Sequence, residues 1–311
     1  MKVRVGISAG THRFPNSSEF WRWVEVCEAS SIDSLWCSDR LISTFDTLEP
    51  MSLMAALAGA TRRLQFGMNA LVLPYRDPLV LAKQCATIDW LSGGRLLTVF
   101  GVGTEQDPTW LATRRDPRRR GRQADEMLAI MNRLFEEDLV SFEGAFYQYT
   151  GVSISPKPVR RPLPLWIGGN SAAAIRRTAR FGNGWLGGFA APEVAGHVVR
   201  QINAEAQQAQ RPMDPDHFGV TIGFRFGRPD DEAIARFTAA MGLRGRGLPD
   251  FSSAIAAGDA EDIVALIERY VSVGVSKFVA LPLAADDADF MAQTHRLAAE
   301  VIPAAEAVGS L

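Results

Sequence analysis

The chain alternates short apolar runs with stretches in which apolar residues recur at helical spacing. Apolar runs bounded by turn residues predict eight buried strands, at residues 3–8, 34–38, 64–73, 96–102, 165–167, 184–189, 218–226 and 277–283. Apolar positions three and four residues apart predict helices at residues 19–29, 50–60, 79–91, 118–138, 172–181, 192–209, 230–241, 261–273 and 287–305. Each predicted strand is therefore followed by at least one predicted helix.

Local signals indicate where several of these helices begin. Ser18 is expected to cap the first helix and Ser171 the helix at 172–181, because a serine hydroxyl accepts a hydrogen bond from a free amide of the first turn. Pro50 suits the first turn of the second helix, and Asp77 followed by Pro78 is typical of a cap with proline at the first helical position. These signals support the boundaries that the apolar spacing predicts.

The order of elements favours a closed parallel barrel over an open doubly wound sheet, because eight strands each lead into a helix without a break in composition. The predicted fold class is an α/β TIM (β/α)8 barrel, forming one domain over residues 1–311. Insertions are predicted after strands four and seven. The first contains a small hairpin at 140–147 and a proline-rich connector at 156–164, and the second contains a mobile loop at 244–249.

In such a barrel the active site lies at the carboxyl ends of the strands. The residues at those ends are Asp39, Arg40, Asn69, Ala70, Gly101, Val102, Gly103, Thr104, Ile167, Gly168, Gly169, Asn170 and Arg225. Gly101 and Gly103 would let a ligand approach the backbone closely, and the glycine pair at 168–169 leads into a helix whose amides favour an anion. These two strand ends, at residues 101–103 and 168–169, would together hold a cofactor phosphate. The alternative is that these glycines only let strands turn into helices.

Composition and charge limit the partners. The chain is 47% hydrophobic and 22% charged with a formal charge of -2, so we expect a compact protein with a small-molecule partner and no general attraction for nucleic acid or a membrane. The three cysteines are odd in number and lie in apolar surroundings, which favours buried thiols in a reducing compartment over disulfides or a metal site. With no secretion signal and no run of transmembrane length, the sequence predicts a cytoplasmic protein.

Seven segments in family order resemble the luciferase-like monooxygenase superfamily. They are residues 36–40, 71–78, 91–95, 101–103, 156–158, 166–169 and 182–185. The resemblance implies a barrel that binds reduced FMN or the deazaflavin coenzyme F420, and the sequence is more similar to the F420-dependent branch. It also implies a cis peptide bond between Asn69 and Ala70 against the flavin ring, and a homodimer. Cofactor contacts are accordingly expected at residues 69–70, 101–104 and 167–170.

Asp39 and Arg40 carry the main departure from the family. Deazaflavin-dependent sugar-phosphate and alcohol dehydrogenases of this family commonly place histidine where Arg40 stands, and histidine serves as an acid or base near neutral pH. Arginine stays protonated, so Arg40 is expected to orient an anionic or carbonyl group of the substrate. Asp39 and Arg40 are the candidate catalytic residues, and a purely structural ion pair between them is the alternative.

Other polar and aromatic residues give weaker signals. His12 follows the first strand and is a candidate pocket donor. A solvated face is predicted for the run of arginines at 114, 115, 118, 119, 120 and 122. The more specific hypothesis is that some of them bind the polyglutamate tail of F420 or an acidic substrate. Trp110 is a candidate wall of the pocket.

The leading functional hypothesis is an oxidoreductase that exchanges hydride between F420 and a small organic substrate. One alternative is an FMN-dependent monooxygenase supplied with electrons by a partner flavin reductase. A second is a flavin-binding barrel without catalysis. A hydrolase that uses Asp39 and Glu105 without a cofactor is the remaining alternative, and no nucleophile with an adjacent base accompanies those two carboxylates.

Overall fold

The computed structural model describes residues 1–10, 12–43, 45–242 and 252–309. Its strands are β1 (Arg4–Ser8), β2 (Ser34–Cys37), β3 (Gln65–Met68), β4 (Leu71–Val72), β5 (Leu96–Gly101), β6 (Val140–Glu143), β7 (Gln148–Val152), β8 (Leu165–Gly168), β9 (Gly184–Gly187), β10 (Phe218–Phe226), β11 (Ile255–Gly258) and β12 (Lys277–Pro282). The loop predicted at 244–249 lies outside the described residues.

The helices follow the strands in the predicted order. They are α1 (Ser17–Ala29), α2 (Pro50–Ala60), α3 (Pro78–Ser92), α4 (Thr109–Ala112), α5 (Arg120–Glu136), α6 (Ala172–Phe181), α7 (Pro192–Gln208), α8 (Glu232–Gly242), α9 (Ala260–Val271), α10 (Asp287–Arg296) and α11 (Ile302–Val308). Among the described segments, no helix is long and apolar enough to cross a membrane.

The described residues pack as two compact units. The split unit comprises Met1–Trp36 and Leu186–Leu311, and the middle unit comprises Cys37–Trp185. In the split unit the parallel strands follow the order β11, β10, β12, β1, β2, and aromatic and aliphatic side chains of β10 and β12 are buried. The expectation of one domain over residues 1–311 stays a prediction.

In the middle unit, β5 pairs in parallel with β3, β4 and β8, and β6 and β7 form the predicted antiparallel hairpin. The second strand of that hairpin extends to Val152, beyond the predicted end. Helix α3 packs against α2 and α5, and α5 packs against α6. The proline-rich connector is held by the buried Asp89 of α3, whose carboxylate accepts the amide of Val159 at 2.9 Å.

Most of the predicted helix caps are confirmed. Asp77 Oδ1 accepts the amides of Leu79 and Val80 at the start of α3, and Ser171 Oγ accepts the amide of Ala174 at the start of α6. The predicted cap at Ser18 is wrong. Asn16 caps α1 instead, because its extended backbone lets Oδ1 accept the Glu19 amide at 3.0 Å, while Ser18 already lies in the first turn.

Two strand predictions need correction. The strand expected at 64–73 is interrupted between β3 and β4 by a cis peptide bond from Asn69 to Ala70, the bond that the family resemblance predicted. Strand β11 was not predicted. It pairs in parallel with residues 223–226 of β10, although its Ala-Ala-Gly sequence has weak strand propensity, so partner strands rather than local sequence determine it.

Candidate functional site

The predicted site residues of the middle unit meet at one edge of its parallel strands. Val72 at the end of β4 lies beside Gly101 at the end of β5, and Phe100 lies beside Ile167 of β8. The amide of Asn69 donates to Cys37 O at 2.7 Å, which brings the end of β2 to the same edge. Residues 69–70, 101–104 and 167–170 therefore share one rim with Asp39, which follows β2.

The backbone at the tip of β5 has little space behind it. Gly103 has φ +69°, and a Cβ built on it would lie 3.0 Å from Val72 Cγ1 and 3.3 Å from Trp110 Cζ2. A Cβ on Gly101 would meet Ala70 Cβ at 3.4 Å, which is an ordinary contact. Position 103 therefore requires glycine, because its φ is positive and a Cβ would press against Val72. At position 101 a Cβ would contact Ala70 without a clash. Val102 and Thr104 are half-buried beside them.

Trp110 lies in the interior rather than lining an open pocket. It forms a buried cluster with Val72 and Tyr75, and its Nε1 donates to Thr104 O at 2.7 Å. The Tyr75 ring meets the Trp110 ring edge-on, and burial raises the pKa of the Tyr75 hydroxyl. Trp110 is therefore a packing residue and not the expected wall of a pocket. Its indole holds the segment after β5 through the hydrogen bond to Thr104 O.

The tip after β8 is exposed and opens onto a helix N-terminus. Gly169 has φ +107°, its carbonyl accepts Trp185 Nε1 at 2.9 Å, and Gly169 and Asn170 are both exposed. The Ser171 hydroxyl satisfies the Ala174 amide, and the other first-turn amides of α6 have no acceptor within the helix. The aligned amides and the helix dipole suit a phosphate group, so the residues present fit a phosphorylated cofactor.

Asp39 is bound by an arginine that sequence reasoning assigned no role. Its Oδ2 accepts Arg76 Nη1 at 2.5 Å and the Val72 amide at 2.8 Å, and its Oδ1 accepts Arg76 Nη2 at 3.2 Å. The Asp39 side chain is only 2% exposed. Arg76 also reaches Glu49, with 2.8 Å between Nη2 and Oε1. The expected partner of Asp39 was Arg40, which is half-buried one residue further along the loop.

Electrostatics around Arg76 agree with this geometry. Burial disfavours the charge of Glu49, but its hydrogen bonds with Arg76 and Ser52 outweigh burial and lower the pKa of that carboxyl. Burial, reinforced by the nearby carboxylates of Asp39 and Glu49, raises the pKa of the Cys37 thiol to about 12. Cys37 is therefore protonated at neutral pH and is no candidate nucleophile. The geometry favours a positioning role for Asp39, while its catalytic assignment stays a prediction.

The remaining candidates lie elsewhere or in structural contacts. In the split unit, the His12 ring stacks on Phe290 with centroids 3.8 Å apart, and burial lowers its pKa although Asp287 opposes that shift. Arg225 is buried and binds Asp289 at 2.6 Å and Asp231 at 2.7 Å.

The arginine run after β5 is divided between structural contacts and solvent. Arg120 lies 3.7 Å from the exposed Glu105, and Arg115 donates to Pro74 O at 2.7 Å. Arg119 stacks over the Phe146 ring, with its Cζ 4.5 Å from the centroid. Arg118 and Arg122 are exposed. This arrangement agrees with the expectation of a largely solvated face.

The sequence has curated relatives over different lengths. An uncharacterized protein of Mycobacterium tuberculosis (strain ATCC 25618 / H37Rv) is 33% identical over 163 residues, which is 52% of this chain and 55% of that protein. The chain thus matches about half the length of that relative. An F420-dependent glucose-6-phosphate dehydrogenase of Amycolatopsis mediterranei (strain U-32) is 24% identical over 99% of this chain and 100% of its own length.

Solved structures show the fold. An F420-dependent secondary alcohol dehydrogenase in complex with an F420-acetone adduct matches with a TM-score of 0.82 and 19% identity, over 98% of this chain and 99% of its own. The FMN-bound oxygenating constituent of 3,6-diketocamphane monooxygenase of Pseudomonas putida matches with a TM-score of 0.73 and 16% identity, over 97% of this chain and 98% of its own. The chain has the (β/α)8 barrel fold that its sequence predicts.

The family follows from the sequence match that covers most of the chain. The family model described as luciferase-like monooxygenase matches residues 1–256 of this 311-residue chain. That range includes every residue of the rim, from Asp39 to Asn170. The chain therefore belongs to the luciferase-like monooxygenase family.

Proposed function

We propose that this protein is an oxidoreductase that exchanges hydride between coenzyme F420 and a small organic substrate. The observation that carries the proposal is the exposed N-terminus of α6, which lies behind Gly168, Gly169 and Asn170 at the same strand edge as Ala70 and Gly101. Two proteins named for F420 dependence, one similar in sequence and one in fold, favour this coenzyme.

Each part of the rim has a physical task in this proposal. The first-turn amides of α6 bind the cofactor phosphate through hydrogen bonds and the helix dipole. Ala70 and Gly101, which present little side-chain volume, form the surface against which a planar ring rests. Arg40 orients a carbonyl or anionic group of the substrate, because its guanidinium stays protonated and donates in a fixed plane. When bound, F420 supplies the two-electron redox chemistry, while the protein supplies position and exclusion of water.

An FMN-dependent monooxygenase is the second candidate, favoured by the FMN-bound monooxygenase of the same fold. It would use the same phosphate position, and it would need a partner flavin reductase to supply electrons. A flavin-binding barrel without catalysis is the third. Calorimetric titrations with FMN and F420, each oxidised and reduced, distinguish the first two, because the preferred cofactor binds more tightly. Binding without turnover on any substrate of a broad panel supports the third, and failure to bind either cofactor contradicts all three.

Ala172→Asp tests the phosphate position directly. A carboxylate in the first turn of α6 stabilises the helix through its dipole but repels a phosphate. We expect cofactor affinity to fall at least tenfold while thermal stability is unchanged or slightly higher. Ala172→Asn is the matched control, because it has the same shape without the charge. Equal affinities of the two variants would contradict the proposed position.

We also propose that the protein forms a homodimer through α2 and α3. Helix α2 contains no charged residue, and its exposed positions are mostly alanine and glycine. On the neighbouring α3, Val80, Trp90 and Leu91 are each more than half exposed. Lys83 is the charged exposed residue of α3, and its ammonium group donates to Ser155 O. A pair of neighbouring helices with a largely apolar exposed surface is typical of a self-complementary interface.

A further inference from the structure

The loop between β2 and α2 is closed at its base by one guanidinium. Asp39 begins this loop and Glu49 ends it, and both carboxylates bind Arg76. Asp39 is buried, and Glu49 Oε2 also accepts the amide and hydroxyl of Ser52 at the start of α2. A planar guanidinium with five donors can hold two carboxylates in fixed directions. We name residues 39–43 and 45–49 the clamped loop; Thr44 lies outside the described residues.

The clamped loop presents apolar side chains to solvent. Leu41, Ile42 and Leu48 are 55%, 44% and 53% exposed. A single exposed leucine is ordinary on a protein surface, but three large apolar side chains within eight positions, in a loop whose two ends both bind Arg76, indicate a binding surface. The side-chain hydroxyl of Thr47 donates to Arg40 O at 3.4 Å, so a hydrogen bond within the loop also connects its two halves.

The position of the base of the loop favours the substrate as its ligand. Asp39 accepts the Val72 amide, so the base of the loop adjoins β4 at the proposed cofactor rim. The phosphate position at α6 lies beyond β5 and β8, about 10 Å away at the ordinary spacing of neighbouring strands. The base of the loop is therefore at the end of the rim remote from the phosphate position, where the loop would adjoin the substrate of a bound cofactor.

We propose that Leu41, Ile42 and Leu48 bind the apolar part of the substrate, and that Arg76 is the positioning residue that holds their loop. This inference rests on the proposed function and narrows it to substrates with a polar reacting group on an apolar chain or ring. In this proposal Arg40, which precedes the apolar residues in the sequence, holds the polar group. Sugar phosphates do not fit this surface, because their hydroxyl groups would lose hydrogen bonds to water against leucine and isoleucine.

A homologous series of 2-alkanones with three to ten carbons tests the proposal by calorimetry, without and with saturating cofactor. Burial of each added methylene is expected to tighten binding about fourfold until the surface is filled. Leu41→Asn and Ile42→Asn should each reduce this gain per methylene to less than 1.5-fold over part of the series. The matched control is Leu139→Asn, because Leu139 is 68% exposed outside the rim and should leave the series unchanged.

Several results would overturn the proposal. They are the absence of alkanone binding by the natural protein, an unchanged gain per methylene in both loop variants, and tighter binding of glucose 6-phosphate than of any alkanone. A change from dimer to monomer in Leu41→Asn, seen by light scattering, would assign the surface to a second copy instead. Cofactor affinity measured on the same variants separates this question from the proposed function, because the loop variants should bind the cofactor as the natural protein does.

The role of Arg76 is tested by Arg76→Met and by the milder Glu49→Gln, which releases only one end of the loop. Both should reduce the gain per methylene, and Arg76→Lys should restore part of it. A merely structural arginine would lower the melting temperature in Arg76→Met without changing the gain per methylene, and that result would contradict the positioning role. If Arg76→Met does not fold, Glu49→Gln decides the point.

Discussion

Gly103 lies where the proposed cofactor rim meets the packed interior of the middle unit. Its positive φ and the closeness of Val72 both exclude a side chain. A glycine two residues after Gly101 is enough to predict a tight approach of the backbone at this point. Whether the approaching group is a ligand or a neighbouring side chain depends on Val72 and Trp110, which are distant in sequence. For Gly103, packing already accounts for the glycine, so a cofactor is not needed to explain it.

Gly103→Ala should therefore destabilise the protein more than Gly93→Ala. Gly93 has nearly the same φ, +66°, but a Cβ there would have no atom within 4 Å. Gly93→Ala should lower the free energy of unfolding by about 1 kcal/mol through backbone conformation alone. Gly103→Ala adds overpacking and should cost about 2 to 4 kcal/mol. Urea unfolding of both variants measures the difference, and equal losses would contradict this account of the β5 tip.

Asp39 shows the limit of residue-scale prediction. Its place after β2 marks it as a rim residue, and the neighbouring Arg40 suggests an ion pair. The guanidinium that it binds comes from Arg76, which is 37 positions away along the chain. Arg76 lies within residues 71–78, one of the segments that carry the family resemblance. Its partners depend on how β2 and β4 are brought together, and local sequence contains no information on that distance.

At the scale of elements, the best predictions are those with local causes. Asp77 caps the start of α3 and Pro78 fixes φ at its first position, as predicted, and both act within the helix itself. Gly93 ends the helix in the left-handed conformation. Strand β11 was missed because pairing with β10 determines it. On α2 the apolar pattern does not predict which face is buried, because the buried and exposed faces are both apolar. Only the fold distinguishes them.

Trp90→Glu tests the proposed dimer at this scale. Trp90 is 57% exposed on α3, so a charge there should cause little loss of monomer stability but should be unfavourable within an apolar interface. We expect the natural protein to be a dimer by light scattering and Trp90→Glu to be a monomer at micromolar concentration. Leu139→Glu is the control on an exposed leucine outside these helices. A dimer that persists in Trp90→Glu would place the interface elsewhere.

At the scale of the whole molecule, ion pairs with buried members connect segments far apart in sequence. Lys277 of β12 is buried and binds Asp33, and its ammonium group lies 5.8 Å from the centroid of the Trp36 ring. Burial disfavours the charge of Asp33, but Lys277 outweighs it, so the pKa of Asp33 is lowered. Burial opposes the charge of Asp289 in the same way, and Arg225 lowers the pKa of that carboxyl.

These lowered values predict how stability depends on pH. A carboxylate with a lowered pKa stabilises the fold above its unfolded pKa, and that contribution is lost as the pH falls through the folded pKa. The free energy of unfolding should therefore fall below about pH 4, near the ordinary aspartate value of 3.8. Asp33→Asn should cost about 2 kcal/mol or more at pH 7, because Lys277 loses its partner, and less at pH 3.

Urea unfolding between pH 3 and 7 measures this difference. The control is Asp230→Asn, because Asp230 and its partner Arg228 are both largely exposed, and that pair should contribute little at any pH. A difference between Asp33→Asn and the natural protein that stays constant across the whole range would show that Asp33 does not titrate with folding.

The sequence by itself determined the order of strands and helices, the positions of most helix ends and the set of chain segments that form the rim. It did so because apolar periodicity, caps and glycines act through neighbours in the chain, and because the family motifs occur in order along it. Only the tertiary structure decided the partner of Asp39, the burial of Trp110, the pairing of β11 and the exposure of Leu41, Ile42 and Leu48. Each of these depends on which distant segments meet, and a linear pattern does not contain those distances.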